Sequence, residues 1–188
     1  MPTLDEDLET RESADLAAVL HKAPDRANTE LAAMWHEVLR RRDPVEIVGN
    51  AILWCSRAVI AGAVGECVRM ILDHVPRMHH AQMTAMLDTI EHHSRGDASL
   101  VDVWDARSAA RIHVVDSVTE AFLNAAEAAG DNVLGFDDEA LNSAGTALMG
   151  VIESGGEVMR DQIVEIMRRR IPCPTVLAFH DAHAARYA

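Results

Sequence analysis

The stretch from Asp43 to Ile71 reads DPVEIVGNAILWCSRAVIAGAVGECVRMI, and its reading decides the fold class. Asp43-Pro44 has the form of an N-cap followed by a proline in the first helical turn, where the missing N–H would have no partner anyway. Val45, Val48, Ile52, Val59, Val64, Val68 and Ile71 then recur at a helical period and leave no wide polar face. A helix that is apolar nearly all round belongs at the centre of a bundle or in an oligomer interface. The spacing therefore predicts a central apolar helix over about 44–73. Ala58 and Gly62 lie four apart, as do Ala61 and Gly65, so small residues line one side of it. Glycine costs a helix about 1 kcal/mol against alanine, and close approach of a second helix is the natural compensation. The longest apolar run, Ile47 to Val64, contains Asn50 and Arg57. An arginine at the middle of a bilayer is costly, so this run reads as a core helix and not as a membrane span.

Working outward, Pro24-Asp25 opens a helix whose Leu31, Met34, Trp35, Val38 and Leu39 share one face. Arg40, Arg41 and Arg42 close it, where cations complement the negative end of the helix dipole. Residues 1–22 read as an acidic N-terminal arm or helix, and 23–188 as a single helical domain. Downstream, Pro76 opens a helix over about 76–94 with Met83, Met86, Leu87 and Ile90 toward the core and a glycine stop at Ser94-Arg95-Gly96. Asp97 or Ser99 caps a fifth helix over about 99–129, followed by a loop at 130–135. A sixth helix starts at Asp137 or Asp138. Ser154-Gly155-Gly156-Glu157 has capping-box spacing and predicts a break before a seventh helix over about 157–170. Pro172-Cys173-Pro174 reads as extended, with a last short helix over about 175–186. No stretch alternates at period two. The expected architecture is an all-α bundle of about six to seven helices, mostly antiparallel to their neighbours.

Composition agrees. The chain has 188 residues, 49% of them hydrophobic, and that length buries a core without staples. Alanine is abundant, which favours close-packed helices, and ten Gly and six Pro are too few for a turn-rich β-sandwich. The formal charge is −13. Such a surface argues against a phosphate backbone and against an anionic membrane, and it suits solvation or a basic protein partner. Three cysteines, Cys55, Cys67 and Cys173, give no even disulfide framework and no C-x-x-C pair. Asp5, Glu6, Asp7 and Glu9 are the opposite of a basic signal-peptide start, and the expected location is the cytoplasm.

Ten histidines are the most unusual count in the chain. Asp88 and His92 are four apart on the fourth predicted helix. On the fifth, His113, Asp116 and Glu120 fall at i, i+3 and i+7. If the two faces converge they form a two-His, three-carboxylate set suited to Fe, Mn or Zn. Against this, the Glu-x-x-His repeat of di-iron bundles is absent, and histidines at helix ends and on the surface account for the same residues. His79 shares the stripe of Met83 and Met86 and reads as a core-edge histidine. Arg107 and His113 are separated by five residues, a spacing found in the all-helical HEPN nucleases, but the motif is short and the chain too acidic to hold RNA readily. Arg107 and Arg111 interrupt the apolar stripe of the fifth helix and can pair with acids of a neighbouring helix, while Arg57 and Arg111 call for carboxylate partners such as Glu66, Asp105 or Asp116, unless they line a polar pocket. No G-x-S-x-G, P-loop or G-x-G-x-x-G occurs. The sequence points to a non-catalytic helical interaction protein, an adaptor, regulator or neutraliser of a basic partner, with no cofactor. The alternative is a metal-dependent helical-bundle enzyme or metal-binding protein. A homo-oligomer is expected, because the run over 44–73 offers more apolar surface than a short bundle covers.

Overall fold

The first described residues belong to helix α1, Pro44–Ala51, which starts at the proline the sequence places there. The computed structural model describes residues 44–51, 55–112, 116–130 and 137–171. The acidic arm, the predicted helix before 43, the greater part of the 130–135 loop and the segment after 171 lie outside the described residues. The remaining helices are α2 Arg57–Arg69, α3 His80–Arg95, α4 Leu100–Arg111, α5 Ser117–Glu127, α6 Asp137–Gly155 and α7 Glu157–Arg170. Two short 3-10 turns, Leu72–His74 and Arg77–His79, join α2 to α3. Among the described residues all regular structure is helical, so the chain is an all-α multi-helix bundle.

The run over 44–73 is two helices, not one. Ser56 is extended (ψ 153°), and its Oγ accepts from the Val59 N–H at 3.4 Å, which starts α2 afresh. Apolar periodicity continues across the break, so the period alone hides it. The central role falls to α2, which packs against α3, α5, α6 and α7. Ile60, Ala61, Ala63, Val64, Cys67 and Val68 are all buried there by the chain's own helices. The uncovered apolar surface on which the homo-oligomer expectation rested is thus absent from α2. Small residues face α3 as expected. A Cβ at Gly62 would lie 2.5 Å from the Ser94 Cβ, and one at Gly65 would lie 3.3 Å from Ile90 Cγ2.

The predicted helix over 99–129 is also two. Ser99 caps α4 in a reciprocal box with Asp102, and α4 ends at Arg111 with Ile112 as its C-cap. Asp116 then opens α5 in a second box: its carboxylate accepts from the Thr119 N–H at 2.9 Å, while Thr119 Oγ1 accepts from the Asp116 N–H at 3.1 Å. Elsewhere the punctuation falls where the sequence puts it. Gly96 ends α3 at φ 83°, and the Asp97 N–H reaches back to the His92 carbonyl at 2.9 Å, a Schellman closure. Gly156, at φ 71°, separates α6 from α7. The capping box expected at Ser154 is not made, because Ser154 Oγ donates to the Gly150 carbonyl at 2.7 Å inside α6. No helix among the described residues is long and apolar enough to cross a membrane.

Candidate functional site

Four of the five residues proposed as metal ligands lie among the described residues. Asp88, on α3, accepts from Arg69 of α2 at 2.7 Å. His92 is exposed near the end of the same helix. Asp116 is occupied as the cap of α5. Its carboxyl is held below the ordinary range first by the Thr119 backbone and side-chain bonds, with a smaller contribution from the nearby His79. His113 lies outside the described residues. The i, i+3, i+7 relation of His113, Asp116 and Glu120 requires one continuous helix, and the restart at Asp116 removes it. Among the described residues no group of three or more His, Cys, Asp or Glu is placed to hold a metal ion. Other histidines tie down helix ends: His80 Nε2 lies 2.7 Å from the Val75 carbonyl and His93 Nδ1 lies 2.9 Å from the Ala98 carbonyl. His79 is buried, at the core edge where its stripe places it.

The structure brings together a different set. A cleft of about 430 Å³ between α4 and α5 is lined by Arg107, Arg111, Glu120, Leu123, Asn124 and Glu127. Arg107 is fixed from two sides. Its guanidinium pairs with Glu127 across the helix interface and lies 5.4 Å from the centre of the Trp104 ring. Glu127 also accepts from Ser143 of α6 at 3.1 Å, so one carboxylate joins three helices. The Arg107 Nε is buried and has no hydrogen-bond partner. Arg111 and Glu120 stand exposed in the same cleft. The two arginines that break the apolar stripe of α4 thus line a polar cleft, and one of them is also a structural ion pair. Neither pairs with Asp105 or Asp116. Arg107 is held by Glu127, and the His113 that the nuclease spacing pairs with it lies outside the described residues.

A second ionic cluster ties α7 to α2 and α3. Arg170 Nε donates to Glu66 Oε2 at 2.6 Å, its terminal nitrogen binds Glu91, and Arg169 binds the other Glu66 oxygen. Arg95 completes it at 2.5 Å from Glu91. Partial burial pushes the Glu91 carboxyl up, but the Arg170 hydrogen bond and charge, then Arg95, hold it below the ordinary range. Glu66 was expected to meet Arg57 or Arg111 and instead takes the arginines that end α7. Arg57 opens α2 and donates to the Gly130 carbonyl at 3.0 Å. Sequence reasoning missed Glu91 and Glu127 as ionic hubs. Glu91 has one local partner, Arg95 at i+4, but Arg170 and Arg107, which make the two hubs join helices, lie 79 and 20 residues away, beyond any local spacing rule.

Of the two described cysteines, Cys55 is half-buried and Cys67 buried. Burial pushes the Cys55 thiol up to about 11 and raises Cys67, wholly enclosed, further still. Both therefore behave as small apolar residues. Comparison with family models, with curated proteins and with solved structures finds no match to this chain, and its function has to be argued from these residues alone.

Proposed function

We propose that this chain is a non-catalytic helical interaction protein that binds a basic protein partner through its acidic surface. One observation carries the reading: among the described residues several arginines are already held by carboxylates of the chain itself, while other acids stand on the surface with no ion pair. Arg69, Arg95, Arg107, Arg169 and Arg170 each hold a carboxylate on their own or a neighbouring helix. Asp97, Asp102, Asp105, Glu153 and Asp161 remain exposed. The formal charge of −13 is consequently an outward field, which steers positively charged partners and repels polyanions. The ionic clusters support this reading because they join helices to one another.

Affinity capture with the full chain, followed by calorimetry of the captured partner at two ionic strengths, tests the proposal. The expected partner is a basic protein whose affinity falls as salt rises. Capture of acidic proteins alone, or salt-independent binding, overturns it. Elemental analysis of protein purified without a histidine tag separates it from the metal-protein alternative. Near-stoichiometric Fe, Mn or Zn would favour the alternative. Light scattering on the same sample reads the oligomeric state.

A further inference from the structure

The outer face of α4 carries three large apolar side chains in water: Val101 is 65% exposed, Trp104 36% and Ile112 81%. Positions 101, 104, 108 and 112 stack along one side of a helix, so these residues form a stripe about 16 Å long, with Ser108 between them. The opposite side of α4 is the one that meets the bundle, through Val103 and Ala110. Acids border the stripe. Asp102 and Asp105 flank it on one side, Asp97 lies beyond its N-terminal end, and Glu120 stands in the cleft on the Trp104 side; all four are exposed. Arg111 is the exposed cation of this helix, and it shares the cleft with Glu120. Trp104 is already positioned. A Cβ at Gly130 would lie 3.5 Å from its ring, and the Arg107 guanidinium stacks near it. An aromatic anchor whose rotamer is set before binding loses little entropy on docking.

We infer that this face docks a basic amphipathic helix of the partner protein. The partner's apolar side chains cover Val101, Trp104 and Ile112, and its lysines or arginines reach Asp102 and Asp105 on one side and Glu120 on the other. The inference rests on the functional reading above and names its surface and the partner's local chemistry. Charge complementarity selects this occupant over a second copy of the chain. Two copies each carry −13, and a two-fold antiparallel pairing of the stripes would bring the Asp105 side chains of the two copies together, like charges without a cation between them.

The test uses the full chain and a fluorescent amphipathic Leu/Lys peptide of about 18 residues, five helical turns, with leucines at i, i+3, i+4 and i+7. A peptide of the same composition in scrambled order is the control. Anisotropy is read for wild type, for the Val101→Ser/Ile112→Ser pair, for Asp105→Lys, and for Val158→Ser, which alters an exposed apolar residue on α7. Expected are a loss of affinity of about tenfold or more for the double variant and about threefold for Asp105→Lys, with Val158→Ser unchanged. The scrambled peptide should bind at least about tenfold more weakly than the ordered one. If both α4 variants bind like wild type, or order and scramble bind alike, this docking surface is wrong while a basic partner elsewhere on the acidic surface survives. Failure of capture to find any basic partner would remove the functional reading itself. A dimer that Val101→Ser/Ile112→Ser dissociates would overturn the proposal in favour of a second copy. Should the double variant fail to fold, Asp105→Lys alone decides, because that side chain is exposed.

Discussion

Replacing Gly62 by alanine sets two known effects against each other. An alanine in mid-helix is intrinsically better than glycine by about 1 kcal/mol. Here, however, the new methyl would sit 2.5 Å from the Ser94 Cβ and 2.7 Å from its Oγ. Carbon atoms prefer about 3.5–4.0 Å, so α2 and α3 must separate locally by about 1 Å. The obstructing atom is a Cβ next to the backbone, and rotation of the serine cannot move it away. Gly65 on the next turn also lies tight against α3, with Ile90 Cγ2 3.3 Å from where its Cβ would be. The shift would therefore loosen packing along the whole seam. Overpacking of this kind costs about 1–3 kcal/mol, so Gly62→Ala should be net destabilising by about 1 kcal/mol. In a Ser94→Gly background the obstruction is gone and the same change should stabilise by up to about 1 kcal/mol. The coupling energy of the cycle should then be about 2 kcal/mol, large for any pair not in contact. Urea unfolding followed by helical circular dichroism supplies the four stabilities. An equal gain from Gly62→Ala in both backgrounds would refute the close approach of α2 and α3. Gly62→Leu should destabilise by about 1–3 kcal/mol in the same assay.

Three further outcomes follow from the same contacts. Glu91→Gln should cost about 1 kcal/mol at neutral pH. Because the folded-state Glu91 carboxyl is depressed, its contribution is present above the unfolded value of 4.5 and is lost as pH falls through the folded one. The stability difference between wild type and Glu91→Gln should accordingly shrink in acid; a constant difference from pH 7 downward would contradict the Arg170 pairing. Asp116→Ala should cost about 1 kcal/mol through loss of the α5 cap, whereas Asp116→Asn, which keeps an accepting oxygen, should cost much less; equal costs in thermal melts would dismiss the cap. Cys67 should stay unreactive to a thiol reagent in the native protein and react only at the rate of unfolding, since burial raises its thiol and closes access to it.

The sequence discloses helix starts and stops wherever a residue has one local job. Pro44 opens α1, Gly96 closes α3 in the left-handed region, Ser99 caps α4, and the glycines at 155 and 156 break α6 from α7. It conceals the two starts at Arg57 and Ser117. There the apolar period runs straight through, and the caps are a lone Ser56 and an Asp116–Thr119 box that lacks the usual Glu or Gln. That second omission made His113, Asp116 and Glu120 look like one helical face, and the metal set depended on it. The polar interruption at Arg111 did mark the cleft, whereas Arg57 lies outside it, and Arg107 found its acid on a neighbouring helix, because an arginine inside an apolar stripe needs a carboxylate or a polar wall. Which carboxylate answers depends on how α4 meets α5. Tertiary packing sets that, so Glu127 was invisible from spacing. Exposure of Val101 and Ile112 was equally hidden, since apolar side chains at helical spacing predict burial by default.

Binding by the outer surface requires α2 to be the enclosed axis of a rigid bundle. Native-state hydrogen exchange resolved along the chain measures this directly. Amides of residues 60–68 should exchange more slowly than any others, at the rate of global unfolding, while the exposed end of α4 opens far more easily. If residues 60–68 exchange as fast as that end, α2 is not the axis, and both the scaffold and the binding surface it supports are misassigned.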